Sequence, residues 1–259
     1  MENITLKQWW DGLSKTWQSL FLLNLHLNRL HDFNEDAKGV LKLGTNPFMH
    51  YAFKHGSKFI EPVVTDEIIA QVGELRFLYA AECELDDILP LASLPQLSFI
   101  DLCFNQLTSI DVLKDHTGIK YLYVENNNLI SLSPLANSTN LEELDARENK
   151  LTGLHEISHL QQLTFLDVGS NEISDINGVG NMLNLEELQC DLNQISDLGP
   201  LQGLNKLRIV TLVGNQITHI NVLLELPALQ YADLSYMEGL DENEIDALLS
   251  KGVEVVYNK

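Results

Sequence analysis

His155, Glu156 and His159 are the residues whose types and spacing come closest to a catalytic motif. An H-E-x-x-H pentapeptide binds zinc through two histidines one helical turn apart, with the glutamate as general base. That chemistry needs a true α-helix, a third ligand and a cleft that keeps water on the metal. Here Leu154, Ile157 and Leu160 fall at core positions of a longer-range repeat. The motif is therefore expected on the outer side of a coil, in a segment too short for such a helix, and a zinc-dependent hydrolase is a remote alternative. The three cysteines, Cys83, Cys103 and Cys190, lack metal-ligand spacing. No histidine falls beside Cys103 to act as its base, and no glycine-rich phosphate loop occurs. The expectation is a non-catalytic chain with no cofactor and no metal.

What positions these residues is the repeat. Leu75, Leu97, Ile119, Leu141, Leu163, Leu185, Leu207 and Leu229 stand 22 residues apart without a slip. Each is followed by apolar residues three and five on, giving L-x-x-L-x-L. Six repeats place an asparagine eight on, at Asn105, Asn127, Asn149, Asn171, Asn193 and Asn215, with Cys83 and Met237 at the terminal equivalents. The spacing predicts a short strand, a turn, and a second apolar set such as Leu107, Ile110 and Leu113 that closes the far side of the coil. Stacking buries a core that no single repeat forms alone. The asparagines are expected to bond backbone groups of the neighbouring coil that burial would otherwise leave unsatisfied.

The phrases NQLTSIDVL (105–113), NEISDINGV (171–179) and NQISDLGPL (193–201) resemble the 22-residue class of leucine-rich repeats found in bacterial internalins and in a regulatory subunit of protein phosphatase 1. The likeness covers about residues 75–240. It implies an α/β solenoid, a horseshoe of eight repeats over residues 73–240 with a parallel β-sheet on its concave side. It also implies the habit of binding proteins on that face, with a phosphatase-regulator-like scaffold subunit as an alternative role.

In this repeat class the third, fifth and seventh positions point out of the inner sheet. Here those 24 positions hold eight acids, one base and seven aromatics, where overall composition would place about three acids and two aromatics. Aromatic residues are favoured on pleated surfaces whatever the function, but acids are depleted there. Phe77, Tyr79, Phe99, Tyr121, Tyr123 and Phe165 are expected as aromatic anchors, and Asp101, Glu125, Asp145, Asp167 and Asp191 as charges, with Arg147 relieving the adjacent Asp145 and Asp167. Aromatic groups ringed by carboxylates suit a partner presenting Arg and Lys.

Bulk charge agrees. The chain carries 16 Lys and Arg against 37 Asp and Glu, and the excess lies almost wholly beyond residue 72: residues 1–72 carry −1 and residues 73–259 carry −20. Such a surface repels phosphate backbones and anionic lipid, so nucleic acid and membrane are disfavoured and a basic protein is favoured. An inhibitor or immunity-type protein that plugs a basic partner is one specific form. Leu20 to Leu27 is interrupted by Asn24 and His26, lacks the layout of a signal peptide and is too short to span a membrane. The sparse, odd-numbered cysteines fit a reducing compartment, so the expected location is the cytoplasm.

The ends of a solenoid need covers. Residues 1–72 are expected to form a helical N-terminal capping region. Thr5 and Gln8 match a capping box, and Leu6, Trp9, Trp10, Leu13, Trp17, Leu20 and Phe21 fall at helical spacing. Residues 34–64 read as loop and turn. Residues 241–259 read as a C-terminal cap, a helix from Asp241 to Ser250 with Gly252 at its end, then a strand from Val253 to Tyr257.

Overall fold

The structure, a computed structural model, describes residues 5–30 and 63–258. Nine three-residue strands form one parallel sheet in chain order. They are β1 (Phe77–Tyr79), β2 (Phe99–Asp101), β3 (Tyr121–Tyr123), β4 (Glu143–Asp145), β5 (Phe165–Asp167), β6 (Glu187–Gln189), β7 (Ile209–Thr211), β8 (Tyr231–Asp233) and β9 (Glu254–Val256). The 22-residue period sets the register. Phe77 pairs with Phe99, Phe99 with Tyr121 and so on to Ile209 with Tyr231, after which Tyr231 pairs with Glu254 of the closing strand. The result is the open solenoid horseshoe that the repeat implies.

The middle residue of each strand, from Leu78 to Ala232, points inward and is fully buried. Facing these residues across the coil are short 3-10 turns at Leu89–Ser93, Asp111–Asp115, Ser133–Asn137, His155–Ile157, Asn177–Asn181 and Gly199–Leu201. Several turns begin where a side chain takes up a backbone N–H two residues on. Asp87 accepts from Leu89 N (3.0 Å), Asp175 from Asn177 N (2.7 Å) and Asp197 from Gly199 N (2.8 Å). These local bonds favour tight turns over longer helices. Coils also approach closely on this side: a Cβ at Gly178 would lie 2.0 Å from the Leu154 carbonyl oxygen.

The asparagines tie each coil to the one before. Asn149 Nδ2 donates to the carbonyls of Val124 (2.9 Å), Ala146 (3.1 Å) and Arg147 (3.1 Å), and its Oδ1 accepts from Leu129 N (2.9 Å). Asn105, Asn127, Asn171 and Asn193 repeat this arrangement, and all are buried. The chain reaches this geometry by placing the preceding residue in the left-handed backbone region once per coil.

At the N-terminal end the expected apolar stripe forms two helices rather than one: α1 (Leu6–Gly12) and α2 (Lys15–Leu30). The Thr5–Gln8 capping box is present. Ser14 breaks the stripe by accepting from Trp17 N (3.3 Å), which starts a new helix. Trp9, Trp17 and Phe21 pack together with ring centroids 5.2–5.4 Å apart for the Trp9–Phe21 and Trp17–Phe21 pairs. A further helix, α3 (Asp66–Gly73), capped by Thr65, was not anticipated and leads directly into the first coil. Of the loop expected at residues 34–64, only residues 63 and 64 are described; the rest lies outside the described residues. The core runs unbroken from Trp9 through the coils to Val253. At the far end α4 (Asn221–Leu224) replaces the 3-10 turn. Asp241 then caps α5 (Glu242–Ser250), Gly252 takes φ +89° and β9 closes the sheet.

Removing a ladder asparagine strands several buried backbone groups at once. Asn149→Ala is expected to lower the unfolding free energy by about 3 kcal/mol in denaturant titration. Asn184→Ala, which loses two solvent-accessible bonds, to the Gln161 carbonyl and from Lys206, should lower it by about 1 kcal/mol or less.

Candidate protein-binding face

The outward positions of the strands divide into an aromatic end and an acidic middle. At the aromatic end Phe99 is the centre of a cluster, with ring centroids 4.9 Å from Tyr79, 5.5 Å from Tyr123, 6.3 Å from Phe77 and 6.4 Å from Tyr121. These rings were expected to stand open as anchors. Tyr79 and Phe99 do not, being only 3% and 2% exposed, because α2 crosses this end and sets Leu23 against them. The helix is held there by Asn24, whose Oδ1 accepts from Tyr79 N (2.7 Å) and whose Nδ2 donates to Tyr79 O (2.9 Å) and Leu20 O (3.0 Å). Asn24 thus pairs both backbone groups of Tyr79 on the edge strand β1. Phe77, Tyr121, Tyr123 and Phe165 are half-buried. Tyr121 and Tyr123 donate their hydroxyls to Glu142 (3.0 Å) and Glu143 (2.7 Å).

Sequence reasoning noticed Asn24 only as a break in an apolar run and gave no role to Leu23. The available signal was a polar residue inside a helix face otherwise made to be buried, which calls for a partner.

In the acidic middle, the fifth-position aspartates have a backbone task that the sequence did not reveal. Asp101, Asp145, Asp167 and Asp233 each accept, through Oδ1, the N–H two residues on, from Cys103 (3.1 Å), Arg147 (3.2 Å), Gly169 (2.9 Å) and Ser235 (3.0 Å). Asp191 serves the neighbouring coil instead, accepting from Val213 N (2.7 Å) and the Thr211 hydroxyl (2.8 Å).

The structure brings Glu125, Asp145, Arg147 and Asp167 together. The Arg147 guanidinium lies 2.7 Å from Glu125, 3.5 Å from Asp145 and 3.6 Å from Asp167. One cation against three carboxylates leaves the group negative. Burial, then the nearby Asp167 charge, pushes Asp145 up to about 7, although Arg147 opposes the shift. Burial pushes Asp167 up to about 6, with the Gly169 N–H and Arg147 pulling down. Burial also raises Asp101 and Asp191 above the ordinary carboxylate range.

The catalytic motifs find no support in their geometry. His155 to Ile157 form a single 3-10 turn, in which residues four apart do not share a face, and both histidines are exposed. The would-be base Glu156 is occupied by the preceding coil, accepting from Leu132 N (2.7 Å) and the Ser131 hydroxyl (2.9 Å). Among the described residues no three His, Cys, Asp or Glu side chains are grouped to hold a metal. Burial raises the Cys103 thiol far above its ordinary range and Cys83 to about 11, so neither supplies thiolate near neutrality. A polar hollow of about 680 Å³ on the flank of the coils is lined by Lys120, Glu142, His159, Asn184, Glu186 and Lys206, two lysines against two glutamates. Lys120 pairs with Glu142 (3.1 Å) and Lys206 bonds Asn184 (2.8 Å).

Residues 139–181 match the family "Leucine Rich repeats (2 copies)". No curated protein matches the chain by sequence. Among solved structures, internalin F of Listeria monocytogenes is similar at 23% identity and TM-score 0.68, over 82% of this chain and 68% of that one. Internalin C2 of the same organism is similar at 25% identity and TM-score 0.68, over 80% of this chain and 90% of that one. The ectodomain of the Arabidopsis thaliana receptor kinase GASSHO1/SCHENGEN3, solved in complex with CASPARIAN STRIP INTEGRITY FACTOR 2, is similar at 22% identity and TM-score 0.62, over 74% of this chain and 25% of that one. With eight coils in unbroken register, an asparagine ladder and one parallel concave sheet, this chain has the leucine-rich repeat fold.

Proposed function

We propose that the chain is a non-catalytic protein-binding module that takes a basic protein on the middle of its concave face. Glu125, Asp145, Asp167 and Asp191 supply the charge, and Phe77, Tyr121, Tyr123 and Phe165 supply the apolar shoulders. The repeat fold itself suggests an interaction module; the acidic row supports the finer reading. The observation that carries it is the grouping of Glu125, Asp145 and Asp167 around the single Arg147 guanidinium; burial first, and neighbouring carboxylates second, raise Asp145 to about 7 and Asp167 to about 6. Like charges held this close weaken the fold, and an incoming Lys or Arg would relieve them. The module acts by occupying its partner's surface, as an inhibitor or immunity-type protein would. Three free thiols favour a reducing compartment such as the cytoplasm. No described helix is long and apolar enough to cross a membrane.

The two aspartates hold protons more tightly in the folded chain than in the unfolded one. Folding therefore takes up protons between the ordinary carboxylate range and about pH 7, and this contribution to stability grows as pH falls through that window. Asp145→Asn is expected to raise the unfolding free energy by about 2 kcal/mol at pH 8 and by much less at pH 5. A denaturation series in which the variant is destabilised at pH 8 would count against the crowding.

The functional test compares wild type with Asp145→Asn/Asp167→Asn in affinity capture from native lysate at low and high salt. A basic protein retained by the wild type, released by salt and retained at least about tenfold less by the variant is the expected outcome. Equal retention by both proteins would remove the concave row as the site.

A further inference from the structure

Eight residues, one per coil, enter the left-handed region just before the ladder position: Glu82, Phe104, Asn126, Glu148, Ser170, Leu192, Gly214 and Tyr236, with φ from 51° to 68°. Glycine takes this conformation freely and asparagine readily, whereas an apolar residue with a β-carbon is strained by about 1 kcal/mol. Gly214 and Asn126 are therefore the residue types that suit this backbone. Leu192 and Tyr236, in the coils on either side of Gly214, are not, and they are 58% and 76% exposed. Neither belongs to the buried core. A Cβ at Gly214 would lie 2.8 Å from Leu192 Cδ2, so Leu192 leans across the glycine toward the coil of Tyr236. Fold stability gives no reason to place two large apolar groups on strained backbone facing water.

The patch adjoins the carboxylate row. Asp191 directly precedes Leu192, while Asp233 and Glu238 flank Tyr236 in sequence. Lys206 and Arg208 are the only lysine and arginine in residues 151–250, and they bond Asn184 and Glu186 on the flank of the coils. An apolar spot in so negative a field selects an occupant whose own apolar group is flanked by cations.

We propose that Leu192, Gly214 and Tyr236 form a second contact patch on the rim of the sheet, for an aromatic or aliphatic side chain set beside Arg or Lys in the basic partner. This rests on the concave-face reading and specifies its partner, which engages both the sheet and this rim. Strained, exposed apolar residues whose removal does not weaken the fold are the signature of a contact kept for binding.

The test titrates two labelled peptides, one alternating Arg and Trp and one alternating Arg and Ser, into the full chain at low salt. Wild type is expected to bind the Arg–Trp peptide about tenfold more tightly than the Arg–Ser peptide. In Leu192→Asn/Tyr236→Asn that preference should collapse to about onefold, with Arg–Ser binding and the thermal midpoint unchanged or higher, since Asn tolerates this backbone. Leu192→Gly alone, which copies the residue of the neighbouring coil, serves if the double variant fails to fold. Persistence of the preference in the rim variants overturns the proposal. Asp145→Asn/Asp167→Asn, run in parallel, should weaken both peptides. If it weakens neither while the rim variants still abolish the preference, the concave reading fails and the rim patch stands. A wild type that binds neither peptide overturns both.

Discussion

Each coil has a backbone that turns inward after its strand and buries carbonyls and N–H groups where no strand partner reaches them. The asparagine is the side chain that can both donate and accept there, and Asn149 does so toward four backbone groups in its own and the preceding coil. Much else follows from that requirement. The asparagine must recur at constant spacing, so the coils are equal in length and the strands stack in parallel register. The preceding residue must turn left-handed, so every coil carries one left-handed position on the same rim. The alternative is several unsatisfied buried groups per coil, each worth about 1–3 kcal/mol, which a marginally stable domain does not tolerate.

A ladder of this kind has ends, and the two ends are closed differently. At the C-terminal end the polypeptide contributes another strand, β9, beneath α5. At the N-terminal end no strand is added among the described residues. A helix crosses the edge and a single side chain, Asn24, imitates a strand by bonding both the N–H and the carbonyl of Tyr79. That solution has a consequence for the concave face. The helix delivering Asn24 also delivers Leu23, so the first two aromatic rows become partly a satellite core instead of open surface. The uncovered part of the concave face is displaced toward the acidic middle of the array.

This distinction marks what could be read from the sequence. Strand positions, register and core were legible because each repeats eight times and the ladder six, and a repeated pattern with one physical cause averages out local accidents. The C-terminal helix and strand were legible from their own caps. What occurs once was not. Nothing in a helical stripe from Leu6 to Phe21 says that Ser14 restarts the helix, or that the same helix reaches over to Tyr79, because both depend on contacts more than fifty residues away in sequence or on one local bond. The aspartates at the fifth positions were read as an outward acidic row, but the burial of Asp145 and Asp167 and the bonds to the N–H two residues on were invisible, since the sequence gives no account of which backbone groups are left over at a strand end.

Those bonds sharpen the reading of the acidic row. A backbone N–H at the end of a strand needs an acceptor, and that need alone explains a short polar side chain at the fifth position. It does not explain a charged one, because an asparagine oxygen would accept the same bond without repelling its neighbours. The chain shows that the position tolerates neutral residues, with Gln189 and Thr211 holding it in β6 and β7. In β4 and β5 it instead sets two aspartates side by side, buries them, and provides one arginine whose closest partner is Glu125. One oxygen of each aspartate faces the backbone, and the other faces Arg147, which is shared with Glu125. In the coil of Thr211 the equivalent N–H, that of Val213, is accepted by Asp191 of the preceding coil, so the sheet keeps a carboxylate for this task even where the fifth position is neutral; what the task does not account for is the excess of three carboxylates over one cation around Arg147.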